Sequence, residues 1–561
     1  MHRSALAFLI ALVIAPAAHA ALVPYPASQT IFPSGPLPAA KATGVRLNAA
    51  RGETEDAQIV VTRATTISAR IDAQPLAPMQ VRLLWAHYVR FGSRLVPDAL
   101  QPWSGAARAA EEQNQPVWLQ VDVPPETAAG TYETTISFDV DGRTTELPLT
   151  VRVFHAALPP FRARSGNLQT AFLVNPQLYL KKVSDLYGFS TLEERMATNE
   201  SLFRFLAEHR ISPASYGYGE PNSPQGYTRD ARWWRDSAGN MEGQLTAAGG
   251  AFPVMRIPIS SNRASPANYV GGLSPYRPES WCGYLGAVQS FWRQRGWAGS
   301  TTPYLYALDE PGNSADALVA RQAAVAHRCF PGARSILTGS PNTSNRRLWD
   351  GRNGDDVDIW VPLARRYYGT FSSRSQSHRE RSWFRSIAAA RAHGKTIWSY
   401  TYTAVPGSPG FTATEPLSNS RLFLLWNALE RTTGVLYGDG VTTYDGGNPY
   451  GAVGKHGEAV LLYPGVRAPI ASARLEQIRD GIEDWALYDL VRRRFGSSRV
   501  RAILGGRGLF SASARGVQLA CTQRCELQGT TKYAWPRWSR DATTPARIER
   551  AKLNALRLAS R

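Results

Sequence analysis

The sequence predicts a multidomain protein in which an N-terminal β-sandwich precedes a (β/α)8 TIM-like barrel and a C-terminal helical appendage. Short alternating segments broken by Pro and Gly fill the first part of the chain. Strand and helix patterns then alternate, and helical patterns close the sequence. We place the domains at 21–160, 161–465 and 466–561, after a signal peptide at 1–20. The 561 residues are too many for one compact core.

The first residues have the three parts of a secretory signal peptide. A positive start at Arg3 precedes an apolar run from Ala5 to Ala15 and the small-residue cleavage motif Ala18-His-Ala20. The run is too short to span a bilayer, and no later stretch has the length and apolarity of a membrane span. We therefore expect an exported protein, periplasmic or extracellular, with no membrane span.

The composition is that of a globular protein with a strongly basic surface. Hydrophobic residues make up 43%, charged residues 19%, and the formal charge is +19. Positive charge attracts anionic partners, and export argues against nucleic acid. Sulfated or uronic-acid glycans fit better, while an arginine-rich proteome without a particular partner is the alternative.

Four cysteines, an even number in an exported chain, predict disulfides. Cys521 and Cys525 are spaced to close a local loop. The sequence assigns no partner to Cys282 or Cys329. A metal site at the 521–525 pair is the weaker interpretation because no histidine cluster accompanies it.

Alternating apolar residues predict the strands of the N-terminal sandwich at 58–62, 117–123, 132–140 and 145–154. Pro and Gly turns separate these strands. Catalytic residue types do not cluster there, so we interpret this region as an accessory domain, structural or carbohydrate-facing. A linker at 155–161 with two prolines ends it.

Strand and helix patterns alternate beyond this linker, which is typical of a (β/α)8 barrel. The predicted strands are 168–174, 213–217, 253–259, 303–308, 335–339, 357–361, 396–401 and 434–437. The predicted helices are 194–209, 279–295, 315–328, 379–393 and 420–431. In the appendage, apolar residues at helical spacing predict a helix at 474–490, and a basic helix is expected at 545–560.

The run from Tyr304 to Gly312 carries the candidate chemistry. An apolar strand ends there in two adjacent carboxylates, Asp309 and Glu310, at the end of a barrel strand where catalytic groups are placed. Strict alternation points the two side chains to opposite faces, so both enter one pocket only if the backbone turns. The alternative is that one carboxylate caps the next helix, although Asn313 and Ser314 are available for capping.

Cleavage of a glycoside needs one protonated carboxyl group and a second group that stabilises positive charge at the anomeric carbon. Neighbouring carboxylates separate each other's pKa values and so supply an acid and an anion. Adjacent residues cannot flank a sugar ring as nucleophile and acid. They suit a mechanism in which the 2-acetamido group of the substrate attacks and the aspartate orients it.

Four motifs resemble glycoside hydrolase family 123 and its uncharacterised relatives. They are Arg51-Gly-Glu-Thr-Glu-Asp-Ala-Gln58, Val123-Pro-Pro-Glu-Thr-Ala-Ala-Gly-Thr-Tyr132, Leu308-Asp-Glu-Pro311 and Arg479-Asp-Gly-Ile-Glu-Asp-Trp485. The resemblance implies an exo-glycosidase that removes β-linked N-acetylgalactosamine by substrate-assisted catalysis without metal or organic cofactor. It makes Glu310 the general acid/base and Asp309 the group that steadies the acetamido group. The segment 437–445 lacks the tryptophan of the family pattern, so another sugar is an alternative.

Further residues at the predicted strand ends are candidates for substrate binding, with packing or loop solvation as the alternative for each. They are Trp398, Tyr400, Tyr402, Tyr216, Asn175, Trp360 and Asp439. The helical spacing of Arg479, Glu483 and Asp484 predicts instead a structural ion-pair network.

Two other functions fit the same residues. In the first, Glu310 remains the acid while a distant carboxylate, Glu220 or Asp439, is the nucleophile. In the second, the chain is a non-catalytic glycan-binding envelope protein, which a Glu310 side chain turned away from the pocket would indicate.

Overall fold

The structure is a computed structural model that describes most of the chain. The described residues are 20–39, 42–163, 165–214, 241–257, 262–263, 282–352, 356–364, 385–402, 410–438, 441–442, 444, 447–453, 457, 460–505, 509–510, 512–513, 516–517 and 544–561.

The N-terminal region consists of two β-sheets. Their strands are β1 (Ala21–Pro26), β2 (Val45–Arg51), β3 (Glu53–Thr62), β4 (Thr66–Ile71), β5 (Gln80–Phe91), β6 (Arg94–Trp103), β7 (Arg108–Ala109), β8 (Asn114–Val123), β9 (Gly130–Val140) and β10 (Arg143–Ala157). One sheet has the order β1-β3-β8-β5-β6 and the other β2-β10-β9-β4-β7. Among β1 to β10 only the β2–β10 pairing is parallel. Residues 452–453 join the first sheet as a sixth strand, parallel to β5.

Alternation along the strands produces the core between the two sheets. Val117 and Leu119 of β8 pack in one buried cluster with Phe138 of β9 and Leu149 of β10. Trp118, between them, points to the other face and is also buried. The first sheet is therefore covered on both faces, and the predicted β-rich N-terminal region is confirmed.

The central region alternates short strands with helices. The strands are β11 (Gln169–Phe172), β12 (Val254–Arg256), β13 (Asn262–Arg263), β14 (Thr302–Leu305), β15 (Leu308–Asp309), β16 (Arg334–Leu337), β17 (Ile359–Trp360), β18 (Thr396–Ile397), β19 (Ser399–Thr401) and β20 (Gly434–Tyr437). The helices are α1 (Pro176–Tyr187), α2 (Leu192–Glu208), α3 (Cys282–Gln294), α4 (Trp297–Ser300), α5 (Asp316–Cys329) and α6 (Ser418–Glu430), with further helical turns at 241–247 and 385–392.

These strands pair in parallel, as the alternating pattern predicts. One sheet has the order β12-β14-β16-β17-β18 and the other β11-β20-β19, with β13 and β15 as a separate pair. A parallel bridge joins Phe172 to Pro213, where the second predicted strand begins. Among the described residues no backbone pairing joins Pro213 to β12, so a closed eight-stranded barrel is confirmed only in part.

The strands bury a different apolar cluster on each face. Side chains from all eight predicted strand segments, such as Ala171, Ala214, Tyr304 and Leu436, share one cluster. Their neighbours, such as Leu305, pack with the helices in another. Helices thus cover one face, and the ends of the strands place polar side chains beside the other.

The C-terminal region is largely helical, as predicted. It contains β23 (Ile470–Ala471), α7 (Ala473–Phe495), α8 (Ser497–Leu504), β24 (Ala512–Ser513), β25 (Gly516–Val517) and α9 (Thr544–Ala559), and it follows β21 (Ala452–Val453) and β22 (Leu462–Tyr463) at the end of the central region. Ser472 caps α7, because its hydroxyl accepts the Leu475 N–H at 3.0 Å. Among the described helices none has the length and apolarity of a membrane span.

A disulfide joins Cys282, at the start of α3, to Cys329, at the end of α5. The Cα atoms lie 4.9 Å apart, within the usual range for a disulfide. Cys521 and Cys525 lie outside the described residues. Tertiary packing therefore assigns the pair that the sequence left open.

Candidate active site

Asp309 and Glu310 lie where β15 ends, and the backbone turns between them. Asp309 is the last residue of β15, and Glu310 has φ +44°, in the left-handed region that non-glycine residues seldom adopt. Such a conformation costs about 1–3 kcal/mol and persists only where surrounding contacts fix it. The turn that the sequence analysis required is located at Glu310 itself.

Two hydroxyl groups hold the Asp309 carboxylate. The Tyr306 hydroxyl donates to Asp309 Oδ1 at 2.5 Å, and the Thr338 hydroxyl donates to the same oxygen at 3.1 Å. Hydrogen bonds to a charged acceptor are shorter and stronger than neutral ones. The half-buried Asp309 side chain therefore has a fixed orientation.

Glu310 is held at both its backbone and its carboxylate. Its N–H donates to Thr338 Oγ1 at 2.7 Å, which stabilises the left-handed turn. The Tyr400 hydroxyl donates to Glu310 Oε1. Glu310 remains exposed to solvent, so it is neither turned into the core nor blocked by neighbouring atoms.

Burial raises the pKa of Tyr306 well above its ordinary value, and the adjacent Asp309 carboxylate raises it further. Tyr306 therefore keeps its proton and remains a donor to Asp309 at neutral pH. Arg256 lies beside it, with its guanidinium carbon 5.4 Å from the Tyr306 ring centroid and Nη2 donating to the Tyr306 carbonyl at 3.2 Å. The positive charge of the Arg256 guanidinium therefore lies next to Tyr306, the residue that donates to Asp309.

Neither carboxylate serves as a helix cap. The next helix, α5, has Ala315 at its N-cap without a side-chain hydrogen bond. The Asp309 and Glu310 carboxylates instead accept hydrogen bonds from Tyr306, Thr338 and Tyr400. Neither carboxylate therefore caps α5, and Ser314 does not cap it either.

Three aromatic candidates follow one another along the seventh predicted strand and lie at different depths. Trp398 is 2% exposed and packs edge-on to Tyr304, with ring centroids 6.1 Å apart. Tyr400, 7% exposed, reaches Glu310, and its ring stacks on Tyr402 at 6.0 Å. Trp398 is therefore a packing residue, whereas Tyr400 and the half-buried Tyr402 lie beside the carboxylates.

Trp360 and Asn175 differ in their access to solvent. Trp360 is 0% exposed and faces the helix-side cluster, because its strand position points away from the site. Its role is corrected to core packing. Asn175 is exposed, and its side chain caps α1 by accepting the Leu178 N–H at 3.1 Å. Its part in substrate binding stays a prediction.

Tyr216 and Asp439 lie outside the described residues, as does Glu220. Sequence reasoning missed two residues that the structure brings to the carboxylates, Tyr306 and Thr338. Tyr306 stands three positions before Asp309, and Thr338 lies at the end of the neighbouring predicted strand. A search of every predicted strand end for hydroxyl groups would have found Thr338.

The described residues contain no group of three or more His, Cys, Asp or Glu side chains arranged to hold a metal ion. What they do contain is a pair of adjacent carboxylates, each oriented by its own hydroxyl donors. One exposed carboxyl group and one fixed carboxylate can supply a proton and stabilise a neighbouring positive charge.

The motifs at 51–58 and 479–485 meet in a buried ion-pair network. Arg479 Nη2 of α7 contacts Asp56 Oδ2 of β3 at 3.1 Å, and Arg210 Nε contacts Glu483 Oε1 at 3.0 Å. Arg421 Nε of α6 contacts Asp484 Oδ2 at 2.7 Å. The network is structural, as the helical spacing predicts, and it joins α7 to the N-terminal sheet as well as to the central region.

Comparisons with known proteins agree with these motifs. Residues 85–140 match the family model described as the Glycoside hydrolase 123 N-terminal domain. No curated protein sequence is significantly similar to the chain. Among solved structures, a family 123 glycoside hydrolase from Clostridium perfringens, studied for glycolipid glycan hydrolysis, is similar over 96% of this chain and 98% of its own, with a TM-score of 0.65 at 12% identity.

Two other solved structures are much less similar to this chain. An endo-β-1,4-mannanase from Thermotoga petrophila has a TM-score of 0.34 at 11% identity, with 58% of this chain and 78% of that chain covered. A putative α-galactosidase from Bacteroides fragilis has a TM-score of 0.29 at 10% identity, with 79% and 77% covered. Neither bears on the assignment.

The fold and the paired carboxylates define the class as a multidomain protein with a β-rich N-terminal region, a central region of parallel strands and helices, and two adjacent carboxylates at a strand end. Within that class, the N-terminal domain match and the full-length structural likeness confirm the resemblance to glycoside hydrolase family 123. The chain therefore resembles family 123 in its N-terminal domain and in its overall fold. At 12% identity the structural likeness establishes the fold, not the substrate.

Proposed function

We propose that this chain is an exported glycoside hydrolase that removes terminal β-linked N-acetylhexosamine, N-acetylgalactosamine first, with retention of configuration. Glu310 is the general acid/base, and Asp309 orients the 2-acetamido group of the substrate. The export part rests on the N-terminal sequence pattern. The preference for an acetamido sugar rests on the family resemblance and on the adjacency of the two carboxylates.

The observation that carries the proposal is the separate anchoring of the two carboxylates. Tyr306 and Thr338 fix Asp309 through Oδ1, while Tyr400 binds Glu310 Oε1. The left-handed turn at Glu310 separates two side chains that are neighbours in sequence. Two oriented carboxyl groups on one side of the sugar suit substrate assistance, because a direct nucleophile and an acid must flank the scissile bond.

The reaction proceeds in two steps. Protonated Glu310 gives its proton to the glycosidic oxygen, and the aglycone leaves as an alcohol while the acetamido carbonyl oxygen bonds to C1. The Asp309 carboxylate accepts the acetamido N–H and stabilises the positive charge of the oxazoline-type intermediate. The Glu310 carboxylate then takes a proton from water, the hydroxide attacks C1, and the C1–oxygen bond of the intermediate breaks.

The geometry of Glu310 bears on the two alternatives. A binding protein that has lost catalysis needs no exposed, oriented acid, whereas Glu310 is exposed and held by Tyr400. A distant nucleophile, Glu220 or Asp439, would belong to residues that the structure does not describe. The two glycosidase mechanisms differ in whether the substrate needs an acetamido group.

The test compares hydrolysis of aryl β-N-acetylgalactosaminide, β-N-acetylglucosaminide and β-galactoside by the wild type and by Glu310→Gln. We expect cleavage of the acetamido sugars only, with kcat reduced at least about 100-fold in the variant. Cleavage of the plain galactoside would support glycosidase activity but reject a mechanism that needs the acetamido group. Absence of cleavage of all three would reject the proposed substrate class.

A further inference from the structure

A cleft of about 620 Å³ between α8 and α9 is lined by arginines. Its charged lining residues are Arg499, Arg547, Arg550, Arg557 and Arg561, and no acidic side chain belongs to the described lining. The cleft shares no residue with the Asp309–Glu310 site. It is therefore a concave surface, separate from that site, whose described charged side chains are all positive.

The two faces of α9 carry different chemistry. On the inner face, Lys552 pairs with Glu53 and Glu55, and Glu549 Oε1 contacts Arg421 Nη1 at 3.1 Å. On the outer face, Arg550, Arg557 and Arg561 are exposed. Glu549, the acidic residue of this helix, thus belongs to the buried network, and the described residues that line the cleft include no acidic side chain beside the exposed arginines.

Helix stability does not account for two of these arginines. Arg499 and Arg547 lie in or beside the first turns of α8 and α9, where the helix dipole disfavours a cation, whereas Arg557 lies in the last turn of α9, where a cation is favoured. Arg547 Nη2 also donates to the Leu509 carbonyl at 3.2 Å. No acidic residue stands in the first turn of either helix. A bound anion would offset both the dipole and the repulsion between the guanidinium groups.

We propose that this cleft binds an anionic polysaccharide, one that carries sulfate or carboxylate groups, outside the catalytic site. Arg547 lies in the first turn of α9 and Arg561 lies two residues past its end, so the row of arginines extends over about 20 Å. A row of guanidinium groups of this length matches repeated anionic groups along a polymer better than one small anion. Each guanidinium can bind a sulfate or carboxylate through two N–H donors.

The lining favours a glycan over other polyanions. None of the residues named for the cleft is aromatic, whereas single-stranded nucleic acid is bound by stacking on aromatic rings. The surface is concave, which suits a chain rather than a flat bilayer. The proposal extends the proposed function, because a glycosidase that holds an acidic glycan on its appendage keeps substrate near its active site, but binding can be measured without activity.

The experiment measures binding of fluorescent dextran sulfate and of polygalacturonate to the full-length protein, with neutral dextran as the blank. The test variant is R550Q/R557Q/R561Q, and the control R46Q/R90Q/R143Q removes the same charge from exposed positions of the N-terminal sheets. We expect the dissociation constant for the dextran sulfate to rise at least about tenfold in the test variant and less than about threefold in the control. A single Arg557→Glu substitution gives a second measurement if the triple variant unfolds.

Either of two results would overturn the proposal. An equal loss in test and control variants would mean that binding follows net charge alone, and no binding of either polysaccharide by the wild type would mean that the cleft is not a glycan site. Tighter, equally arginine-dependent binding to duplex DNA or to phosphatidylserine vesicles would also reject the glycan assignment. Small aryl glycosides do not need the arginine cleft for binding. If the test variant still hydrolyses them but no longer binds the polysaccharide, the cleft and the catalytic site are independent, and either proposal can fail without the other.

Discussion

The hydroxyl of Thr338 accepts the backbone N–H of Glu310 at 2.7 Å. The same hydroxyl donates to Asp309 Oδ1 at 3.1 Å, so one side chain from the neighbouring strand holds both catalytic candidates. It stabilises the φ of +44° at Glu310, which allows the side chains of Asp309 and Glu310 to contact the same substrate. Thr338 is therefore a positioning residue for the proposed reaction.

Replacement of Thr338 by valine removes the hydroxyl while it keeps the shape of the side chain. We expect kcat to fall about 10- to 100-fold with little change in KM, because a hydrogen bond to a charged group contributes about 1.5–3 kcal/mol. Thr338→Ser, which keeps the hydroxyl, should retain most of the activity. Equal losses in both variants, or an effect confined to thermal stability, would contradict the positioning role.

Tyr400→Phe removes the donor to Glu310 Oε1 and leaves the ring that stacks on Tyr402. We expect kcat for an aryl N-acetylgalactosaminide to fall about tenfold or more, since the acid loses its fixed orientation. Tyr463→Phe is the matched control, because its hydroxyl donates to Asp98 Oδ2 at 2.5 Å in the buried core. The control should lower the melting temperature and leave kcat within about twofold. Unchanged kcat in Tyr400→Phe would refute the assignment.

The buried ion network predicts that the protein is more stable at pH 5 than at pH 8. Burial raises the pKa of Asp56 and of Glu483 to about 7, although Arg479 and Arg210 oppose it. The folded state therefore binds more protons than the unfolded state from about pH 4 to 7, and stability falls as pH rises through this range. Burial also opposes ionisation of Glu476, but Arg479 and His209 lower its pKa to about 2. The stability that ionised Glu476 contributes is therefore lost only as the pH falls from about 4 towards 2.

Thermal unfolding at pH 5 and pH 8 checks this prediction. We expect the melting temperature to be higher at pH 5 by about 3 °C or more, and Asp56→Asn to reduce the difference. Asp72→Asn, at an exposed position, is the control and should leave the difference unchanged. A wild type that is more stable at pH 8 would show that these carboxyl groups ionise without cost.

Gly434→Ala tests whether Trp398 is a packing residue. A Cβ at Gly434 would overlap the indole ring of Trp398, which the surrounding core holds in place. We expect a loss of about 1–3 kcal/mol in the free energy of unfolding, measured by urea denaturation. Gly286→Ala on α3 is the control, because its Cβ would meet no atom within 4 Å. That change should be neutral or stabilising by about 0.5–1 kcal/mol. A neutral Gly434→Ala would indicate that the ring moves freely.

Local patterns predicted much of the fold because they depend on neighbours in sequence. Period-two alternation located four of the ten strands of the N-terminal sheets, and alternating strand and helix patterns located parallel strands of the central region. The adjacency of Asp309 and Glu310 at a strand end was likewise visible in the sequence alone. Helical spacing also identified Arg479, Glu483 and Asp484 as structural residues.

Tertiary structure alone decided which residues meet. Alternation shows that Trp398, Tyr400 and Tyr402 share a face, but only the packed strands place Tyr400 at the level of Glu310 and Trp398 below it. Trp360 faces the helices for the same reason, since a pattern does not reveal which face of a strand points to the site. Thr338 lies 28 residues beyond Glu310 and reaches it because parallel strands bring distant chain segments together.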